Sequence, residues 1–256
     1  MMISSGTKKP KVHESAYVAP TAVISGDVTV EEGCAILYGA VITAEGAPVV
    51  IGANSVVMEN AVLKSSGGSV IQFPLNVGES CIIGPGAYVV GATIEPGCFV
   101  ASGTKVFNGA TIEEHTSVAL GGIVHVKTRV KSGQHVPMQH IAFGDPATIY
   151  PPDKAPEIRK QMHFFEDVFN LDDAPDVRAK AAEAYAKFLR KTHAQDSAIA
   201  ETPKKAAPAK APKRTEEPPP TQSVEVEKVV DVMFVELEEA RLRREAAIAR
   251  EKKGKK

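Results

Sequence analysis

Tryptophan is absent from the 256-residue chain, and nine Phe and five Tyr are the only aromatic residues. That scarcity argues against a core built on large rings. Cysteine is nearly absent too, with three residues in no paired spacing, which fits a reducing cytoplasm better than a disulfide framework. No uninterrupted apolar run reaches the roughly 18 residues a bilayer crossing needs, so no membrane span is expected. The N-terminal stretch MMISSGTKKPKVHES has no apolar h-region, so no secretory signal is expected either. A formal net charge of −1 removes bulk electrostatic attraction to nucleic acid or to an anionic membrane.

What is present is unevenly spread. Residues 1–150 hold 8 basic and 11 acidic residues, against 22 and 20 in residues 151–256, while 19 of the 20 glycines lie before residue 150. Two different materials therefore join near Pro151–Pro152.

The first material is a repeat of period six. Aliphatic residues fall six apart from Val12 to Ile42, then at Ile51, Val57 and Leu63, at Val77, Ile83 and Val89, and from Ile94 to Val136. The intervening steps are nine, fourteen and five residues, and twenty positions stay in register. Four residues after most of them stands a small residue, among them Ala16, Ala40, Ala61, Ala87 and Thr104. Period six matches neither an α-helix nor a hairpin meander. It matches a very short strand, a turn and another short strand, three to a triangular coil, with coils stacked at roughly 4.8 Å. The large aliphatic points inward and the small residue fills the corner. Gly33, Gly103, Gly109 and Gly133 fall where such corners need positive φ. Cys34, Cys81 and Cys98 occupy the small inward position, which makes them structural thiols.

The stretches IGANSVVMENAVLK, VGESCIIGPGAYVVGATIEPGCFVASGTKVFNGATI and FGDPATIYPPD carry a resemblance in their irregular steps as well as their repeats. The chain resembles the hexapeptide-repeat, left-handed β-helix superfamily and, more narrowly, its γ-carbonic anhydrase-like branch. The resemblance covers about residues 12–150, with the expected β-helix domain at 12–149, and implies a left-handed parallel β-helix followed by C-terminal α-helices, assembled as a homotrimer. In that family three histidines bind zinc between subunits. The matching positions here are Lys64, Pro85 and Val90, the accompanying glutamine falls at Met58, and the family's Arg-Gly-Asp segment falls at Thr43-Ala44-Glu45. No zinc and no carbonic anhydrase activity are therefore expected.

Register places Thr43, Lys64, Val90, Phe107 and His125 in one ladder up one face, the face that lines the inter-subunit cleft in the family. Three functions compete there. A non-catalytic trimeric scaffold is favoured, since ISGDVTV and AEGAPVVIG resemble a small β-helical subunit of dynactin. A CoA-dependent acyltransferase would use a CoA thioester as substrate. His125 would be its general base, with Glu59 or Glu45 nearby and Lys127 and Arg129 available to CoA phosphates. A relocated metal site among His115, His125, His135 and His140 is the third, although spacings of 10, 10 and 5 do not repeat the ligand face. Val90 and Phe107, apolar and outward, are expected to be covered between subunits.

The second material reads as a helical region over 150–195. One helix is expected over 155–170, with Ile158, Met162, Phe165 and Phe169 as its stripe, and another over 174–194. A Pro/Lys/Ala-rich disordered linker spans 196–223. The segment 224–256 carries Val226, Val230, Met233 and Leu237 in a spacing suited to a coiled coil or to docking a protein partner.

Overall fold

The computed structural model describes residues 1–67 and 71–199. Most of the expected linker and all of the helix expected over 224–256 lie outside the described residues.

The hexapeptides form a parallel β-solenoid. Strands of two to four residues stack into three sheets, one for each face of the coil. Face I has eight parallel strands, from Met2–Ser5 to Ile141–Phe143, and faces II and III have seven each. Eighteen of the twenty register positions are buried, and Val12 and Val18 in the first coil are partly buried against the same core. Successive side chains on a strand point to opposite sides. Ile83 is 0% exposed and its neighbour Ile82 is 40% exposed. The four corner glycines have φ between 65° and 72°. His115 and Lys127 adopt φ of 54° and 52° without being glycine, a conformation that side chains disfavour.

Both ends of face I are closed by antiparallel strands that the hexapeptide pattern does not announce. Thr148–Tyr150 pairs with Ile141–Phe143, and Asp196–Ala198 pairs with Met2–Ser5. Each covers a row of backbone groups that an open edge would leave unpaired. The fourteen-residue step contains a small excursion in which Ser66–Gly67 pairs antiparallel with Gln72–Phe73.

The helix expected over 155–170 is two helices, α1 (Ala155–Arg159) and α2 (Phe164–Phe169). His163 stands between them at φ −119°, ψ 56°, outside helical space. The break lets Phe164, Phe165 and Phe169 cluster with one another, 5.6 to 6.2 Å between ring centres. A longer helix, α3 (Val177–Thr192), follows.

Candidate functional site

The ladder on face I is present in the expected register. Leu63 pairs with Ile42 on one side and Val89 on the other, which aligns Thr43, Lys64 and Val90. Val106 and Val124 continue the row, placing Phe107 and His125 one residue beyond. The covering of this row differs from expectation. Val90 is 5% exposed and Phe107 is partly buried within a single chain. The chain's own α2 and α3 supply the roof, since Phe164, Phe169, Tyr185 and Phe188 line the same cavity as Val90 and Phe107. A second subunit is thus not needed to shield these two residues, because aromatic side chains from the C-terminal helices already remove them from water.

Lys64 sits at the centre of a buried polar knot. Its ammonium donates to both carboxylate oxygens of Glu45, at 2.9 and 2.8 Å, and to the Tyr185 hydroxyl at 3.3 Å. The Tyr185 hydroxyl donates to Glu45 at 2.8 Å. The Lys64 ammonium also lies 5.9 Å from the centre of the Tyr185 ring. Burial works to lower the Lys64 pKa, but hydrogen bonding and charge contact with Glu45 prevail and the net shift is upward. Burial and the same carboxylate raise the Tyr185 pKa. Glu45 is held from behind, its backbone N–H donating to Ser65 Oγ at 2.8 Å. The next residue, Gly46, has φ +83°, and a Cβ there would lie 2.8 Å from the Phe188 ring. Glycine at 46 therefore lets α3 approach the coil closely enough for Tyr185 to reach Glu45.

Beside this knot lies a cavity of about 300 Å³. Its lining is rich in aromatic residues, with Tyr88, Phe107, Phe164, Phe169, Tyr185 and Phe188 among its walls, and Lys64, Ser66 and Asn108 are among its polar residues. Asn108 is 5% exposed, and its side-chain nitrogen has no hydrogen-bond partner among the described residues. A buried donor left in that state costs about 1–3 kcal/mol.

His125 lines a separate, smaller pocket of about 150 Å³ with Phe143, His163 and Asp167. Its ring packs between Phe107 at 6.0 Å and Phe143 at 5.4 Å. The Val126 N–H donates to its Nδ1 at 2.8 Å, so the neutral ring carries its proton on Nε2. Burial lowers its pKa against the opposing charge of Asp167. Glu59 lies at a corner outside both pockets, its backbone carbonyl accepting from the Gly86 N–H. Lys127 pairs with Asp167 at 2.6 Å, and Arg129 with Glu113 and Asp145 at 3.3 Å each.

The other histidines do not converge. His135 shares a 2.6 Å hydrogen bond with Ser117, His140 bonds the Met138 carbonyl at 2.8 Å, and His115 occupies a corner. Among the described residues no group of three or more His, Cys, Asp or Glu is placed to hold a metal ion. Pro85 stands at a corner, where its carbonyl accepts from the Gly103 N–H. The three cysteines are free and buried. Hydrogen bonding to Cys98 lowers the Cys81 pKa to about 7 and raises that of Cys98, yet exposures of 0% and 1% keep reagents away from both.

Three residues of the site lay beyond the reading of the repeat: Tyr185, Phe188 and Asn108. Tyr185 and Phe188 had a signal, being two rings three residues apart in an otherwise Ala-rich helix. Their target, 121 residues earlier at Lys64, had none.

Comparison with known proteins gives the site its relatives. The chain is 30% identical over 131 residues to γ carbonic anhydrase 2, mitochondrial, of Arabidopsis thaliana, covering 50% of this chain and 46% of that protein. It is 28% identical over 193 residues to γ carbonic anhydrase 1, mitochondrial, of the same plant, covering 73% and 68%. A carbonic anhydrase of Geobacillus kaustophilus is 27% identical over 107 residues, covering 42% and 57%. This is a hexapeptide-repeat β-solenoid whose relatives are γ-carbonic anhydrase-like proteins. The first of these matches spans about half the length of the curated relative. No family model matches the chain. Among solved structures, a hexapeptide transferase family protein of Anaplasma phagocytophilum aligns at TM-score 0.42 and 20% identity, covering 74% of this chain and 96% of that one. A GDP-perosamine N-acetyl transferase variant of Caulobacter crescentus, in complex with CoA and GDP-perosamine, aligns at TM-score 0.37 and 27% identity, covering 52% and 56%. Likeness at that level adds nothing to the functional argument. Among the described residues no helix is long and apolar enough to cross a membrane.

Proposed function

We propose that this γ-carbonic anhydrase-like protein is a non-catalytic, trimeric binding scaffold that holds no zinc at the family's position. The carrying observation is Lys64. At the position that resembles the first zinc ligand, its ammonium is neutralised by Glu45 and capped by Tyr185. A protonated ammonium has no lone pair to offer a metal ion, its raised pKa keeps it protonated, and Val90 beside it has no donor atom. Metal analysis of untagged protein tests this: far less than one zinc per chain and no carbon dioxide hydration are expected. Stoichiometric zinc in the unmodified protein would overturn the reading. Changing Lys64, Pro85 and Val90 together to His should bring at least weak zinc binding, since the strand register matches.

The trimer is supported by face III rather than by Val90 and Phe107. Tyr17, Ala35, Val56, Ile82, Phe99, Ser117 and His135 stack outward along it. No carboxylate, lysine or arginine interrupts this column. Tyr38, Leu120 and Met138 extend it around the corner as exposed side chains. The apolar part of the column runs from Tyr17 to Phe99 and ends in the hydrogen-bonded Ser117 and His135. An exposed apolar patch of this kind marks an interaction surface, and copies of the same chain are the proposed occupant. The segment 224–256 is proposed as the contact to a protein partner, on its sequence spacing alone. Three unpaired cysteines fit the cytoplasm, and cell fractionation finding the protein in another compartment would revise that placement.

The acyltransferase reading has the half-buried, neutral His125 in its favour. Against it stands the occupied Nδ1 lone pair, which leaves no free base nitrogen on the neutral ring. Saturable CoA binding, with turnover lost in His125→Ala, would restore it.

A further inference from the structure

The polar and aromatic groups around the roofed cavity define what it can hold. Six rings stand in its walls beside Ile71, Val90 and Val168, and rings favour a compact body that stacks or packs edge-on. Its volume of about 300 Å³ stands at the small end of ligand pockets. Lys64, its only cation among the described residues, is already matched by Glu45 at 2.8 Å, so a buried carboxylate ligand would find no free counter-charge there. Besides the hydroxyls of Ser66 and Tyr88, which also line it, the site offers the Asn108 side-chain nitrogen, a donor buried without a partner among the described residues. That nitrogen is closed from solvent as it stands. It lies on the Gly91 side of the residue. The last torsion of an Asn side chain is broad, and binding requires a rotation about it that brings the nitrogen to the cavity Asn108 lines.

We propose that the cavity between face I and helices α2 and α3 is a binding site for a small uncharged molecule. Its ligand has a flat apolar body and a single carbonyl-type oxygen, which accepts a hydrogen bond from Asn108. The site lies within one chain, so it requires neither the trimer nor any statement about zinc. Ala184, an exposed residue of α3 that lines the cavity, supplies a place to close it without touching the core.

The test uses the full chain and three probes of similar size: acetophenone, ethylbenzene and benzoate. Affinities are measured by titration, together with the side-chain amide resonance of Asn108, identified by its loss in Asn108→Leu. Acetophenone is expected to bind saturably with a Kd below about 1 mM, about tenfold tighter than ethylbenzene, and to move the Asn108 resonance. Benzoate is expected to bind more weakly than acetophenone. Ala184→Phe should abolish binding of all three, and Asn108→Leu, if folded by circular dichroism, should erase the preference for acetophenone. The comparison of probes on the unmodified protein decides the matter even if either variant fails to fold. Absence of saturable acetophenone binding, equal affinity for ethylbenzene, or tighter binding of benzoate would each overturn the proposal.

Discussion

Two outward columns of the solenoid share one backbone geometry and differ in what covers them. On face I, Lys64, Val90, Phe107 and His125 lie beneath helices of the same chain. On face III, Tyr17, Ile82 and Phe99 stay 40–47% exposed. An outward position on a β-solenoid is therefore not a surface position by default. It becomes one only where the rest of the chain leaves it open. The covered column gathers charge, a perturbed lysine and a cavity, while the open column is apolar from Tyr17 to Phe99 and holds no carboxylate, lysine or arginine. The first is covered within one chain, and the second is the surface proposed for contact between chains.

The largest effect should come from charging the open column. Ile82→Asp with Phe99→Asp is expected to reduce the mass in light scattering from three chains to one, with the solenoid's circular dichroism retained. A wild type that is already monomeric at micromolar concentration would remove the contrast between the columns.

Inward and outward neighbours provide the next contrast. Ile83→Ala should cost about 2–5 kcal/mol in denaturant unfolding, since a buried side chain is lost and a cavity left. Ile82→Ala should leave the stability of the single chain within about 0.5 kcal/mol and weaken only assembly. Equal losses would mean that the register is shifted by one residue.

The covered column should be sensitive to its ion pair. Glu45→Ala strands the Lys64 ammonium and should cost about 2 kcal/mol, below the value for a fully buried pair, because Lys64 retains 17% side-chain exposure. Lys64 and Tyr185 both have pKa values raised in the folded protein. Their contribution is fully present below the unfolded values of about 10 and is lost as pH rises through the folded ones. Wild type should therefore lose stability in strong alkali more steeply than Lys64→Met.

The smallest effect belongs to His125. Its folded pKa is lowered by burial, so the neutral ring stabilises the fold above about pH 6.5. That stability is lost as pH falls through the folded value. His125→Phe should flatten the slope of unfolding free energy between pH 7 and 5 by a fraction of a kcal/mol. An unchanged slope would place the histidine in water.

Period six alone determined which residues face the core, because side-chain direction alternates along every strand whatever lies outside it. Leu63, Val89 and Val124 could be paired across coils from spacing, and with them the order Lys64, Val90, Phe107, His125. Corner glycines were equally legible, since positive φ has few tenants. The break at His163, the edge strand Asp196–Ala198 and the meeting of Tyr185 with Glu45 were not. Those depend on where a returning chain lands on a surface it does not repeat, and a local pattern carries no term for that. Tertiary structure alone decided which outward column would be roofed, and so turned Lys64 from one rung of an expected inter-subunit cleft into the centre of a half-buried knot within one chain.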